Sequence, residues 1–490
     1  MGERKGDEHR DDDAGRPGDA IADPILRKVR PGPDLEPDPS SLRKREVGDT
    51  GLADTASPAA GRISLEEARR RGPIGWLQLL GPGLITGASD DDPSGIGTYS
   101  QVGSQFGYSL LWTAVFTFPL MFAVQELCAR IALHTGVGLG MSLRRRFPSG
   151  LVGLCILALF AANTFNVGAD LGAVAAGGSL LTKGAIKQLW LVVPVAALIL
   201  SLQIFLDYGA IFKIFKWLTI ALFAYLVTGV IAHPDLRQVV VGTFVPHLEL
   251  TKDFVAALVA ILGTTISPYL FFWQASSEVD EMRAAGQTTE QQRRGVAERE
   301  LRAARADIAI GMLFSNIVMY FIVLTSAAVL HAHGRTNVQT ADQAAQALAP
   351  LAGQWAFVLF AVGMIGTGLL AIPILTGSAA YAVRDFFGLK GALEDKARYR
   401  PTFYLIMAIA TVAGVVIDLA GINPIRALFV SAVINGVVAP PVIVLIILLG
   451  SSREFMGRHA SGALSRTVTW TTAIAMGVAV IALFVTLVTP

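Results

Sequence analysis

Three consecutive aspartates, Asp90-Asp91-Asp92, run into Pro93-Ser94-Gly95 inside a segment that is otherwise mostly Leu, Ile, Gly, Ala and Ser from about Gly75 to Val102. A carboxylate near a bilayer centre costs about 2.5–3.5 kcal/mol on insertion scales. A Pro-Ser-Gly step beside it removes a helix donor and loosens the backbone. No merely structural span needs that combination, whereas a cation site does. A second interruption, Gly263-Thr264-Thr265-Ile266-Ser267-Pro268-Tyr269, falls near the middle of the apolar run Phe254 to Trp273. Acids at one break and carbonyls freed at both could coordinate a cation without leaving polar backbone exposed to lipid.

The elements that must position these groups are membrane helices. The chain has 490 residues, 53% of them hydrophobic and 16% charged, with a mean hydropathy of +0.53. A soluble domain is nearer one quarter charged, so the composition is that of an integral membrane protein. Apolar runs long enough to span give about eleven candidates: 75–102, 108–132, 151–180, 188–206, 210–232, 254–275, 307–330, 355–384, 402–420, 425–450 and 468–489. Residues 1–72 are rich in Asp, Arg, Pro and Gly and carry no aromatic residue. They read as a disordered tail preceding a transporter domain over 73–490. Within that tail, Gly61–Arg71 is either a short amphipathic surface helix or a solvated charged segment. Cys128 and Cys155 both fall in apolar runs and read as buried small residues, with no disulfide framework.

Basic residues orient the bundle. Arg144-Arg145-Arg146, Lys213 and Lys216, Arg293 to Arg305, Arg384 to Arg400 and Arg453 to Arg466 follow spans 2, 4, 6, 8 and 10. The opposite loops carry few, among them Arg237, Lys252 and Arg335. The count, about 20 against about 6, puts the even-numbered loops and the N-terminus in the cytoplasm and the C-terminus outside. Spans 1 and 6 then cross the membrane in opposite directions. Two interrupted helices at matching places in two halves point to an inverted-repeat transporter with a midplane site. Repeat one covers about 75–232, repeat two about 254–450, and an extra helix 468–489.

Gly81-Pro82-Gly83, Asp92-Pro93-Ser94-Gly95, Gly107-Tyr108-Ser109-Leu110-Leu111-Trp112, Leu262-Gly263-Thr264-Thr265 and Pro440 together resemble the Nramp divalent-metal transporters over most of 75–450. The resemblance implies an all-α, LeuT-like bundle of five plus five inverted helices, discontinuous in helices 1 and 6. It also implies transport of divalent cations, usually with protons. The family's first motif, Asp-Pro-Gly-Asn, has Ser94 in place of Gly and Gly95 in place of the metal-binding Asn. Its second, Met-Pro-His, here reads Ser267-Pro268-Tyr269, without the thioether ligand or the histidine associated with proton movement. Asp170 matches an aspartate of the family's proton route, but the glutamate expected three residues on is Ala173, and a usual glutamine is Ala432. These departures resemble the Nramp-related branch that includes magnesium transporters.

Oxygen ligands suit magnesium, calcium and manganese, whereas sulfur favours softer metals. Magnesium keeps several waters and takes one or two carboxylates. The expected cargo is therefore magnesium first and manganese second, moved by alternating access with weak proton coupling or none. The expected metal site is Asp92, Gly95, Thr264 and Ser267, with Asp91, Tyr269, Asp170, Asn435 and Gln274 along the ion pathway or behind it. Since successive helical residues diverge by about 100°, Asp90 and Asp91 are expected to line a vestibule or pair with a neighbouring helix. Asp170 reads as a supporting acid or a proton relay, and Asn435 as a cross-helix hydrogen bond or part of the path. Glu126 reads as an ion pair with Arg130. Gln274, Glu278, Asp280 and Glu281 read as an acidic exit funnel or a solvated helix end. His134, His233, His247, His331 and His333 read as surface residues.

No cofactor, nucleic-acid partner or enzymatic activity is expected, since neither a P-loop, a zinc-protease helix nor a nucleophile elbow occurs. The expected location is a bacterial-type cytoplasmic membrane. A sodium-coupled carrier of amino acids or other organic solutes on the same architecture is the rival reading, and Asp92 opposes it by repelling a substrate carboxylate. An intramembrane enzyme or sensor and a metal channel are the others.

Overall fold

Apolar runs in lipid must satisfy their amides internally, and the described residues are helical throughout, with no strand among them. A computed structural model of the chain describes residues 82–205, 221–389, 391 and 400–488. The first span comprises α1, Pro82–Asp90, and α2, Pro93–Phe106. Spans two to five follow as α3, Trp112–Thr135, α4, Ser149–Leu181, α5, Gln188–Phe205, and the fragment α6, Phe223–Ile231. After a short surface helix α7, Leu236–Phe244, the sixth span is α8, Lys252–Thr265, and α9, Pro268–Ala284. Spans seven to eleven are α10, Glu298–Val329, α11, Ala356–Phe387, α12, Pro401–Leu419, α13, Pro424–Ser451, and α14, Ala463–Val488. Among the described residues nine segments are long and apolar enough to cross a membrane. The split first span and the partly described fifth complete the eleven. The expected tail 1–72 with its Gly61–Arg71 segment, Gly81, Lys213 and Lys216 lie outside the described residues.

Proline makes the two interruptions in the same way. The residue before proline is driven out of the α region, and proline has no N–H to donate. Asp92 accordingly has extended backbone (φ −67°, ψ 175°) before Pro93. Ser267 likewise is extended (φ −76°, ψ 128°) before Pro268. Each break is two residues long, Asp91–Asp92 and Ile266–Ser267. This corrects one expectation: Ser94 and Gly95 do not loosen the chain but form the regular first turn of α2. Residues 276–284 are the last turns of α9 and 298–306 the first of α10, so only 285–297 connect the two helices.

Packing repeats between the two halves. The first span lies on the seventh, α1 against α10, and the sixth lies on the second, α9 against α3, while α4 and α11, third and eighth, face each other. That exchange is what two equivalent sets of five require. The α1–α10 contact is backbone to backbone: a Cβ at Gly87 would strike the carbonyl of Gly311, and one at Gly311 the carbonyl of Gly83. Such small-residue faces hold membrane helices together by close approach. Gly263 of α8 against Ala432 and Gly436 of α13 does the same in the other half.

Two further features frame the bundle. Between α10 and α11 an extended strap is stitched to two helices, by Val338 N donating to Gln101 Oε1 (3.0 Å) and Asn423 Nδ2 donating to the Gln339 carbonyl (2.8 Å). At the opposite end, Arg145 grips Glu290 through both oxygens (2.7 and 2.9 Å), and Arg294 adds a third bond at 2.7 Å. Burial would raise the Glu290 carboxyl, but the hydrogen bonds and charge of the two arginines outweigh it and hold it at about 2.

Gly311→Val should force α1 from α10 and lower detergent-solution stability by about 1–3 kcal/mol, read as thermal unfolding. Because the Glu290 carboxyl titrates near 2 when folded, against 4.5 unperturbed, its clasp is fully present above 4.5 and is lost as pH falls from there through 2. Glu290→Gln should thus melt below wild type at neutral pH, with the gap closing over that acid window.

Candidate cation site between the two broken helices

Asp92 begins α2 as its N-cap. Its Oδ1 accepts the Gly95 amide at 2.7 Å, and its Oδ2 accepts Asn166 Nδ2 of α4 at 3.0 Å. The helix dipole favours a carboxylate there. The first turn of α2 faces the last turn of α8: Ser94 Oγ lies 3.5 Å from Thr264 Oγ1. A Cβ at Gly95 would lie 3.5 Å from Thr264 Oγ1 and 3.4 Å from the Asp90 carbonyl. Asp92, Gly95 and Thr264 thus come together as expected, and all are buried.

Ser267 is adjacent but occupied differently. Its Oγ lies 2.9 Å from the Gly263 carbonyl and 2.8 Å from that of Thr264. Its one proton serves one of these two carbonyls at a time, and its lone pairs remain as acceptors. Tyr269 Oη donates to the Ser89 carbonyl at 3.0 Å, and its own carbonyl accepts Ser378 Oγ of α11 at 2.6 Å. Tyr269 is thus a clip across the two breaks.

The remaining aspartates divide as well. Asp90 Oδ2 accepts Ser315 Oγ of α10 at 2.6 Å, and Asp91 Oδ1 lies 3.4 Å from the same hydroxyl. Both therefore pair with a neighbouring helix. The angular argument for their divergence does not apply, because Asp91 and Asp92 lie outside the helix. Asp170, on α4 one turn beyond Asn166, is fully buried with neither carboxylate oxygen hydrogen-bonded, and Asn435 of α13 is buried with both amide atoms unpartnered. Gln274 stands two turns past the break, about 10 Å along α9. There its Oε1 accepts Thr86 Oγ1 of α1 at 2.5 Å, and its Nε2 donates to Glu278 Oε1 at 2.9 Å. It ties α9 to α1 rather than facing Asp92.

Other expectations resolve by geometry. Glu126 bonds Arg130 at 3.2 Å as expected, and also Arg305 at 2.8 Å. Glu278 and Asp280 are buried, and Asp280 holds Arg283 at 3.0 Å and Tyr381 Oη at 2.6 Å. Glu278 and Asp280 therefore line no open funnel, and α9 reaches solvent mainly in its last turn, from Glu281 on. Asp307 of α10, unremarked in the sequence, accepts the Gly83 and Leu84 amides at 2.8 and 3.1 Å and so caps α1. Asn166 and Ser315 were also missed. The signal for Asn166 was legible: Asn163, Asn166 and Asp170 recur at i, i+3 and i+7, one face of a helix.

Chemically, the centre is a concentration of acceptors. Among the described residues no three His, Cys, Asp or Glu side chains converge as a ligand set. The arrangement offers one carboxylate with amide, hydroxyl and main-chain oxygens around it, and neither sulfur nor imidazole. A cavity of about 570 Å³, bordered by Gln101, Gln105, Asp253, Asn337 and Arg426, lies between the ends of α2, α8 and α13. Gln101 is six residues beyond Gly95, about 9 Å along α2.

The family model described as natural resistance-associated macrophage protein-like, Nramp, matches residues 83–486. The divalent metal cation transporter MntH of Deinococcus radiodurans is 27% identical over 446 residues, 90% of this chain and 94% of that protein. The protein of the same name from Pectobacterium carotovorum is 27% identical over 391 residues, 79% of this chain and 89% of its own. A crystal structure of a mutant manganese transporter from Eremococcus coleocola superposes with a TM-score of 0.64 at 20% identity, covering 88% of this chain and 90% of that one. The nucleobase-cation-symport-1 family transporter MHP1 superposes at 0.51 and 17% identity over 88% and 94%. These likenesses carry the fold, a LeuT-like inverted-repeat bundle.

Asp307→Ala should uncap α1 and destabilise the protein by about 0.5–2 kcal/mol, measured as a lowered unfolding temperature.

Proposed function

The chain belongs to the Nramp family, and from that membership we propose that it carries divalent metal cations across a membrane by alternating access at its two broken helices. Members of this family are transporters rather than enzymes, and the relatives named MntH are divalent metal cation transporters. The observation that carries the reading is the placement of the buried Asp92 beside Gly95 and Thr264, where α2 and α8 meet. Asp92 is the chief ligand, Thr264 and Ser267 supply hydroxyl oxygens, and Gly95 leaves room for a partly hydrated ion.

Magnesium is the favoured cargo and manganese the next, as in the Nramp-related branch that lacks the thioether. The donors around Asp92 are hard oxygens, which suit these ions. The cavity between α2, α8 and α13 is the entry vestibule on the outer face. The basic connections face the cytoplasm, the N-terminus lies inside, the C-terminus outside, and the membrane is a cytoplasmic one. Coupling to protons is weak or absent, because Tyr269 and Ala173 stand where the family's histidine and glutamate would be. An inside-negative potential supplies about 2.3 kcal/mol per charge per 100 mV, twice that for a divalent ion. A rival organic-solute symporter would have to bring a substrate carboxylate against Asp92.

In proteoliposomes, wild-type protein should take up magnesium, with manganese competing more strongly than iron or calcium. Asp92→Ala should reduce uptake by about a hundredfold, given the loss of the only charged ligand. Stoichiometric acidification of the lumen during magnesium uptake would overturn the uncoupled mechanism. Undiminished flux through Asp92→Ala would overturn the site.

A further inference from the structure

We propose that Asn166 is an oxygen ligand to the transported cation, completing the coordination that Asp92 begins. The inference rests on the reading above that Asp92 holds the cation.

The orientation of the amide carries it. Asp92 accepts at both oxygens, one from the Gly95 amide and the other from Asn166 Nδ2. A side-chain amide has donors only on its nitrogen, so the bond to Asp92 fixes which end faces the carboxylate. Asn166 Oδ1 is thereby turned away from Asp92 Oδ2, and it meets no donor although the residue is 0% exposed. A buried oxygen left without a partner costs about 1–3 kcal/mol, and native interiors seldom leave one so.

The neighbourhood shows what kind of partner is missing. On the same face of α4, Asp170 has both carboxylate oxygens unpartnered and Asn163 has its Oδ1 unpartnered, while Asn163 Nδ2 is spent on the Leu375 carbonyl. These are acceptors without donors, and a hydrated cation answers several of them together. The donor chemistry agrees: an amide oxygen is a neutral, hard ligand of the kind magnesium, calcium and manganese accept. Gly95 brings no side-chain oxygen to the first turn of α2. The side-chain amide bonded to Asp92 comes instead from α4, so the third span takes part in the site.

The test uses full-length protein, with Mn²⁺ binding measured by calorimetry and Mg²⁺ and Cd²⁺ uptake measured in proteoliposomes. Asn166→Leu, similar in size and without donor or acceptor, should weaken Mn²⁺ binding about ten- to hundredfold at unchanged thermal stability. Asn166→Cys should shift uptake from Mg²⁺ towards Cd²⁺, because a thiolate favours the softer ion only if that side chain touches it. If Asn166→Leu proves unstable, the cadmium preference of Asn166→Cys decides alone. Loss of Mg²⁺ uptake by Asn166→Cys with no gain for Cd²⁺ would mean that Asn166 merely positions Asp92, and the inference would be overturned. Wild-type Mn²⁺ affinity in Asn166→Leu, with binding abolished in Asp92→Ala, would overturn the inference and leave the Asp92 reading standing. Wild-type affinity in Asp92→Ala would remove both.

Discussion

A main-chain group inside hydrocarbon has no water to turn to, so each interruption of a membrane helix must be answered by protein. The two breaks answer each other. The Ser89 carbonyl, at the end of α1, takes the Tyr269 hydroxyl from α9. The Gly95 amide, at the start of α2, takes Asp92. The Gly263 and Thr264 carbonyls, at the end of α8, face Ser267, and at the far end of α1 the free amides take Asp307. Once proline has opened the helices, this mutual capping holds them at a common depth. The backbone-to-backbone contacts at Gly87–Gly311 and Gly263–Gly436 leave little freedom to drift.

Charge follows from that frame. Asp90, Asp91, Asp92 and Asp170 are all buried around the first break, and among the described residues none of them makes an ion pair. The arginines lie elsewhere, bound to Glu126, Asp280, Glu290 and Asp385. A structural role would call for a neutralising partner within the bundle. Acids gathered without one leave a cluster of buried acceptors around the first break.

Much of the fold was legible because apolar length and Gly-Pro punctuation are local signals. The span limits from α3 onward agree with the apolar runs to within about five residues, apart from the fifth span, described only from residue 221, and except where charged turns extend α9 and α10 beyond the lipid-matched stretch. The site was legible in part. Asp92, Gly95 and Thr264 lie in adjacent motifs, and the helix breaks announce them. Ser315 sits in an unbroken helix, where one polar residue among apolar ones carries no address, whereas Asn166 shares a polar face with Asn163 and Asp170. Their partners emerge only once α4 and α10 are placed beside the first break. Ser267 and Gln274 also stand near a break, and there the Gly263 and Thr264 carbonyls and the Thr86 hydroxyl meet their side chains.

The strap between α10 and α11 adds a matter of timing. It is fastened to α2 through Gln101 and to α13 through Asn423, beside the cavity. Two neutral hydrogen bonds, each worth about 0.5–1.5 kcal/mol net, add to the burial of Val338 in holding the strap there. Such a tether restrains the C-terminal end of α2, which moves only when the strap moves with it or lets go.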